Sequence, residues 1–348
     1  MKSFEDLDAL VGAVPFGVVT DLRTVDTGRG AEALYRDKLP ELLTRLADRA
    51  RVASIEASSA IEGVVVVNRA RAADIVAGGS DRLRDRSEQE LAGYTAVLDY
   101  LYSDQWRPLN VGLILHLHRL LFGYSPVPGG QLKQVENLVV DVMPDGTRAK
   151  RFTPVSATQT PFYLEELVTR YRVAQTAGRH HPVILVGLFV LDLLTIHPFI
   201  DGNGRITRAL TNALLTDAGY DVTQYVSLET AIARSADAYY AALMASTRGW
   251  HDAAHDPWPW LRYFVGLVAR CYDDFTTLTT QARAGGSKQE RVRDYVLHHA
   301  PPTFQIADVR AAFPDISDQT IRLVLSHLKA AGLVMADAVG RSATWSRR

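Results

Sequence analysis

The sequence predicts a mainly α-helical protein with one β-hairpin, followed by a small C-terminal domain that mixes helices and strands. Three observations carry this. Apolar residues recur at intervals of three and four across most of the chain, the spacing of one helix face. One stretch, 137–152, sets an apolar run against Pro144-Asp145-Gly146 and reads as a hairpin. The segment 281–287 is small and polar, with Ala-Gly-Gly-Ser inside it, after a strongly helical stretch, and reads as a linker.

Composition bounds the function classes. At 348 residues and 47% hydrophobic content the chain can bury a large core and is too apolar for general disorder. Its longest apolar run, 182–191, is too short to span a bilayer, so no membrane partner is expected. With 38 Lys plus Arg against 39 Asp plus Glu there is no global field to drive nucleic acid or membrane binding, and any such binding must be local. Residues 287–348 carry a net +3 and the remainder a net −4. The single Cys271 excludes an internal disulfide framework and a multi-Cys zinc site. The N-terminal stretch MKSFEDLDAL is acidic where a signal peptide would be basic and then apolar, so the expected location is cytoplasmic.

The expected elements follow in order. Leu42, Leu43, Leu46 and Ala50 mark a helix from Pro40 that ends at Ser58-Ser59-Ala60-Ile61-Glu62-Gly63, with Gly63 as its C-terminal cap. Glu62 in the last turn opposes the macrodipole, so something cationic should face it, and Ser58, four residues earlier on the same face, is placed to orient its carboxylate. Leu113, Ile114, Leu117, Leu120 and Leu121 mark another helix, and the hairpin follows. Residues 181–196 are apolar on nearly every face, with Asp192 the only acid, so this helix belongs in the middle of a domain. It stops at His197-Pro198 because proline cannot continue the ladder.

The next segment carries the chemistry. Asp201-Gly202-Asn203-Gly204-Arg205 leads into a helix running to about Gly219. Two glycines flanking Asn203 let successive N–H groups point into one concavity at a helix N-terminus, an anion cradle. Arg205 and Arg208, three apart, are expected to reach the same mouth and bind phosphate. Asp201 suits a phosphate only through a divalent cation, and magnesium fits that role. His197 at the rim has the chemistry of a general base. A P-loop is absent, and Thr207 stands where a dinucleotide fingerprint needs its third glycine. His251 and His255 have zinc spacing, but Gly249 and Pro257 break the helix and no third ligand is evident.

The run His197-Pro198-Phe199-Ile200-Asp201-Gly202-Asn203-Gly204-Arg205-Ile206-Thr207-Arg208 resembles the signature of the Fic (Fido) family at every defining position. That resemblance implies a helical Fic domain that transfers AMP from ATP to a hydroxyl side chain (Tyr, Thr or Ser) of a target protein, itself included, with release of pyrophosphate. It implies His197 as the base, Asp201 as the Mg2+ ligand, Gly202, Asn203 and Gly204 as seats for the phosphates, and Arg205 and Arg208 as phosphate ligands. Ser58-x-x-x-Glu62-Gly63 resembles the family's inhibitory motif, whose Glu pairs with the second signature Arg. The hairpin, as a flap over about 131–153, resembles the family's target-docking strand, with Val135, Leu138, Val139 and Val140 as its docking residues. Tyr239 and Tyr240 resemble a tyrosine pair that lines the nucleotide pocket. The resemblance also allows removal of AMP, and a homodimer.

The C-terminal part reads as a helix to about His299, a break at Pro301-Pro302, a helix near 306–313, a turn at 314–316, a helix over 317–331, and two strands at 333–335 and 343–345 joined across 339–341. This resembles a winged helix-turn-helix, and Gln319, Arg322, Ser326 and Lys329 share a face suited to DNA. The expected organisation is an N-terminal helical region over 1–100, a Fic catalytic domain over 101–280, a linker over 281–287 and a winged helix-like domain over 288–348. Two functions compete on this reading. One is a self-inhibited protein adenylyltransferase. The other is a DNA-binding transcriptional regulator whose Fic domain senses nucleotide without turnover.

Overall fold

A computed structural model describes the chain except for residues 64–68, 79–82, 104, 143–147, 284–287, 314–315, 338–342 and 348. The chain divides into two compact units, Met1–Thr276 and Thr277–Arg348. In the first, a 3-10 turn (Lys2–Phe4) and α1 (Leu7–Gly12) lead into two long helices, α2 (Phe16–Lys38) and α3 (Pro40–Ile61). Only Leu39 separates them, because Pro40 cannot donate to a continuing α2 yet suits the first turn of α3. Then come α4 (Arg69–Val76), α5 (Arg86–Tyr102) and α6 (Val111–Leu121). The hairpin pairs β1 (Val139–Val142) with β2 (Arg148–Phe152), antiparallel, with an irregularity between Val139 and Val140. Its expected turn at 144–146 lies outside the described residues. The unit continues with α7 (Thr160–Ala177), α8 (Pro182–Ile196), α9 (Asn203–Asp217), α10 (Val222–Tyr225), α11 (Leu228–Arg234), α12 (Ala236–Thr247) and α13 (Trp258–Arg283).

The apolar segment is the axis of this unit. Every residue of α8 from Val183 to Ile196 is buried except Leu194, and α7, α9 and α12 pack around it. Asp192 is tolerated there because its carboxylate accepts from Ser3 Oγ at 2.6 Å, from Ser3 N at 3.2 Å and from Trp250 Nε1 at 2.6 Å. The expected division at residue 100 is therefore not a boundary of the fold. Ser3 and Phe4 are buried, and α3 packs on α9, α10 and α11. The expected linker is also displaced. Helix α13 runs through Arg283, past the unit boundary at 276, and only 284–287 of the linker segment lie beyond it, outside the described residues.

The second unit holds α14 (Lys288–Asp294) with a π-helical turn (Tyr295–His299), β3 (Thr303–Gln305), α15 (Ile306–Ala312), α16 (Asp318–Ala330), β4 (Val334–Ala336) and β5 (Thr344–Arg347). Ser317 caps α16 by accepting from Thr320 N. Ile321, Val324, Leu325 and Leu328 of α16 close a core with Val292, Val296, Phe304 and Val309. The sheet is antiparallel in the order β3-β5-β4. Strand β3 was not expected, since three residues after two prolines carry no periodicity; it exists because β5 offers it an edge. The turn residues 314–315 and the connection at 339–341 lie outside the described residues. Gln319, Arg322, Ser326 and Lys329 are exposed as expected, with Leu323 exposed among them.

Candidate active site

The site is built where α8 ends and α9 begins. His197 caps α8 in the left-handed region, φ 52°, with its N–H bonded to Leu193 O at 3.0 Å. Its Nδ1 lies 3.2 Å from Leu194 O and can only donate there, so the neutral ring leaves the lone pair on Nε2. Burial pushes the imidazole down to about 4, and Lys133 adds to that direction while Leu194 O, Glu62 and Asp201 oppose it. The ring is a neutral base at physiological pH.

The turn that follows is tied from within. Asn203 Oδ1 accepts from Phe199 N at 2.9 Å and its Nδ2 donates to Phe199 O at 2.8 Å. Gly202, at φ +81°, caps α9, and a Cβ there would stand 2.8 Å from Leu121 Cδ2. The first N–H groups of α9 have no intrahelical acceptor and carry the positive end of the dipole. Gly204 opens onto a cavity of about 480 Å³ lined also by Glu62, Leu138, Val139, Phe152, Leu194, His197, Arg208, Tyr239 and Tyr240.

Glu62 reaches this cavity from α3. Its Oε1 accepts from Arg208 Nη2 at 2.8 Å, and Arg208 Nε and Nη2 also donate to Ser58 Oγ and Ser58 O, each at 3.1 Å. A Cβ at Gly204 would lie 2.4 Å from Glu62 Oε1 and 2.9 Å from Arg208 Nη1, so the glycine is what allows the pair to rest on the first turn of α9. Arg208 is buried, while the Glu62 side chain keeps 34% of its exposure.

Several expectations about single residues are corrected here. Ser58 orients the arginine and not the carboxylate, because both its hydroxyl and its carbonyl face Arg208. Arg205 does not share the mouth with Arg208. It is 2% exposed, donates to Glu90 Oε2 at 2.7 Å and to Asp201 Oδ1 at 3.1 Å, and is drawn away from the cavity by that buried carboxylate on α5. The side-chain amide of Asn203 is occupied by Phe199 and so closes the turn; only its backbone is left to face an anion. Val135 is exposed and off the cavity lining, whereas Leu138 and Val139 line it; the side chain of Val140 lies outside the described ones.

Asp201 is at the surface. Its Oδ1 accepts from Gly202 N at 2.6 Å and from Arg205, and Oδ2 lies 3.4 Å from the exposed Arg86. No group of three or more metal-ligating side chains occurs among the described residues. A single half-exposed carboxylate beside an anion cradle fits magnesium that completes its shell with phosphate and water, and does not fit an all-protein metal cage.

Four supporting residues escaped the sequence reading. His118 stacks on Phe199 at 3.8 Å, its Nδ1 accepts from Gly130 N and its Nε2 donates to Asp201 O at 3.1 Å, which props the turn from behind. Glu90 holds Arg205. Lys133 and Asn137 bond the carbonyls around His197. Nothing in their local sequence marks them, since each acts through a partner more than 60 residues away. The two histidines with zinc spacing are spent elsewhere, His251 on Thr153 O and His255 on Ser3.

Residues 108–215 match the model of the Fic/DOC family. Over 137 residues the chain is 32% identical to a protein adenylyltransferase Fic of Drosophila grimshawi, covering 38% of this chain and 26% of that protein. The corresponding protein of Drosophila virilis is 31% identical over the same length. The chain thus spans about a quarter of the length of the curated relatives it matches. In fold, it is similar to a Fic family protein from Desulfovibrio desulfuricans, with a TM-score of 0.63 at 17% identity over 97% of both chains. A Fic domain containing signaling protein from Bacteroides thetaiotaomicron gives 0.58 at 21%, over 78% of this chain and 98% of that one. The matched segment starts just before α6 and ends inside α9, so the similarity to the Fic/DOC family includes both the turn at His197 and the glycine beneath Glu62.

Proposed function

We propose that the chain is a self-inhibited protein adenylyltransferase, which moves AMP from ATP to a hydroxyl side chain of a protein. One observation carries the reading: Glu62, 146 residues upstream of Arg208, pairs with it over Gly204 in the cavity that holds the neutral His197. The name of the curated relatives supports the reaction class.

The chemistry follows from the residues. The target hydroxyl gives its proton to His197 Nε2 while its oxygen attacks the α phosphorus, and the bond from that phosphorus to the β phosphate breaks, releasing pyrophosphate. The first N–H groups of α9 receive phosphate oxygens. Arg208 would bind the terminal phosphate once Glu62 leaves it. Asp201 would hold magnesium, which supplies charge neutralisation on the phosphates. Leu138 and Val139 on the flap and Tyr239 and Tyr240 opposite would border the target segment and the nucleotide. While Glu62 occupies Arg208, ATP sits without that anchor and in-line geometry is lost.

Labelled ATP with magnesium and cell lysate tests the reading. Glu62→Gly should raise AMP transfer at least tenfold over the unaltered chain, and Arg208→Ala should lower it even in the Glu62→Gly background. Equal labelling by the unaltered chain and Glu62→Gly would overturn self-inhibition. DNA contact by 288–348 would use the exposed face of α16, and the exposed Leu323 flanking it makes that face less suited to a phosphate backbone.

A further inference from the structure

Lys133 is 2% exposed, and the hydrogen bonds of its ammonium go to neutral oxygens. Burying an ammonium without a counter-ion is costly. What it meets instead is backbone and amide oxygen. Nζ donates to Ile196 O at 3.1 Å and to Asn137 Oδ1 at 2.9 Å. The Lys133 N–H donates to Pro198 O at 2.9 Å, and Asn137 Nδ2 donates to Phe199 O at 2.9 Å. The carbonyls on both sides of His197 are thus held by two residues of the segment that enters β1. The ammonium also faces the negative end of α8.

We propose that Lys133, braced by Asn137, is the positioning residue for His197: its bonds to the carbonyls on either side lock the left-handed turn that aims the imidazole, and they hold its ammonium close to the ring. The proposal rests on the reading of His197 as the general base. Lys133 itself is lowered to about 8 by burial and so remains largely charged at neutral pH, with Glu136 opposing the shift. The charged groups acting on His197 are Lys133 from the approach to the flap, Glu62 from α3 and Asp201 from the turn. Loss of the Lys133 charge must therefore move the imidazole upward.

The test reads His197 directly. The full chain is labelled with 13C at histidine Cε1, and the His197 resonance is identified by its loss in His197→Gln. Its titration midpoint is followed in the unaltered chain, Lys133→Met, Lys133→Gln and Lys133→Arg. The two neutral variants should move the midpoint up by half a pH unit or more, and Lys133→Arg should restore it. Lys133→Gln keeps a donor for Ile196 O and covers the case in which Lys133→Met fails to fold. In the Glu62→Gly background the neutral variants should lower kcat by about 10- to 100-fold, with KM for ATP changed less than threefold, and should shift the acid limb of the rate profile with the midpoint. An unchanged midpoint in the folded neutral variants overturns the proposal. Absence of AMP transfer in every background overturns the adenylyltransferase reading alone, because the midpoint still decides what Lys133 does to His197.

Discussion

His197 gains its chemistry from a backbone that few non-glycine residues adopt. The left-handed φ turns the chain out of α8, the Nδ1 hydrogen bond selects the tautomer, and burial keeps the ring unprotonated. His197→Ala in the Glu62→Gly background should cut AMP transfer by about 100- to 10,000-fold, with ATP affinity within a few fold, as read by transfer rates and nucleotide titration. With the imidazole lowered to about 4, the proton is lost below the usual histidine range. The rate should therefore stay flat from about pH 7.5 to about 5.5 and fall only below that. A limb centred near 6.5 would show an ordinary, solvated histidine. Arg205 gives a contrasting case. Because it forms a buried pair with Glu90, Arg205→Ala should cost about 1–3 kcal/mol of stability by leaving Glu90 Oε2 without its buried partner, less than a lone buried pair because the exposed Arg86 still pairs with Oε1. Urea unfolding measures this, and a loss of ATP affinity with no loss of stability would return Arg205 to the phosphate.

At the scale of elements, the end of α3 meets the start of α9. A carboxylate at a helix C-terminus and a guanidinium near a helix N-terminus are each unfavourable alone, and pairing them answers both. The contact is therefore a structural bond as well as a candidate switch. Glu62→Gly should lower stability by about 1–2 kcal/mol, less than a fully buried pair because Glu62 keeps a third of its exposure. The freed Arg208 should make ATP with magnesium stabilise the variant more than the unaltered chain. Thermal melts with and without ATP check both, and equal ATP-induced shifts would separate Glu62 from nucleotide binding. The helix end itself was legible in the sequence, since Gly63 at φ +76° closes α3 as its position demands. The partner of Ser58 was not: four-residue spacing pointed it to Glu62, whereas packing of α3 on α9 presents it to Arg208.

For the whole molecule, the two units have separate hydrophobic cores, and the second closes its own around α16. A chain ended after Arg283, where α13 stops, should unfold in one cooperative transition and retain auto-modification in the Glu62→Gly background. Aggregation or a lost transition would show that the first unit needs the remainder of the chain.

The turn from His197 to Arg208, the apolar axis helix and the hairpin strands could be read from the sequence because each depends on neighbours along the chain: a proline that stops a helix, glycines that permit a cradle, a run with no polar face. What α5 and the approach to the flap contribute could not be read that way. Glu90 and Lys133 are ordinary residues in sequence, and they matter because folding buries them against Arg205 and the carbonyl of Ile196, where charge has no water to turn to. The sequence by itself therefore determined where the candidate site lies, and the tertiary structure decided which of two arginines faces the cavity and which residues bond the carbonyls around His197. Hydrophobic spacing and turn chemistry act over a few residues, while the pairing of buried charges is settled only when distant helices exclude water together.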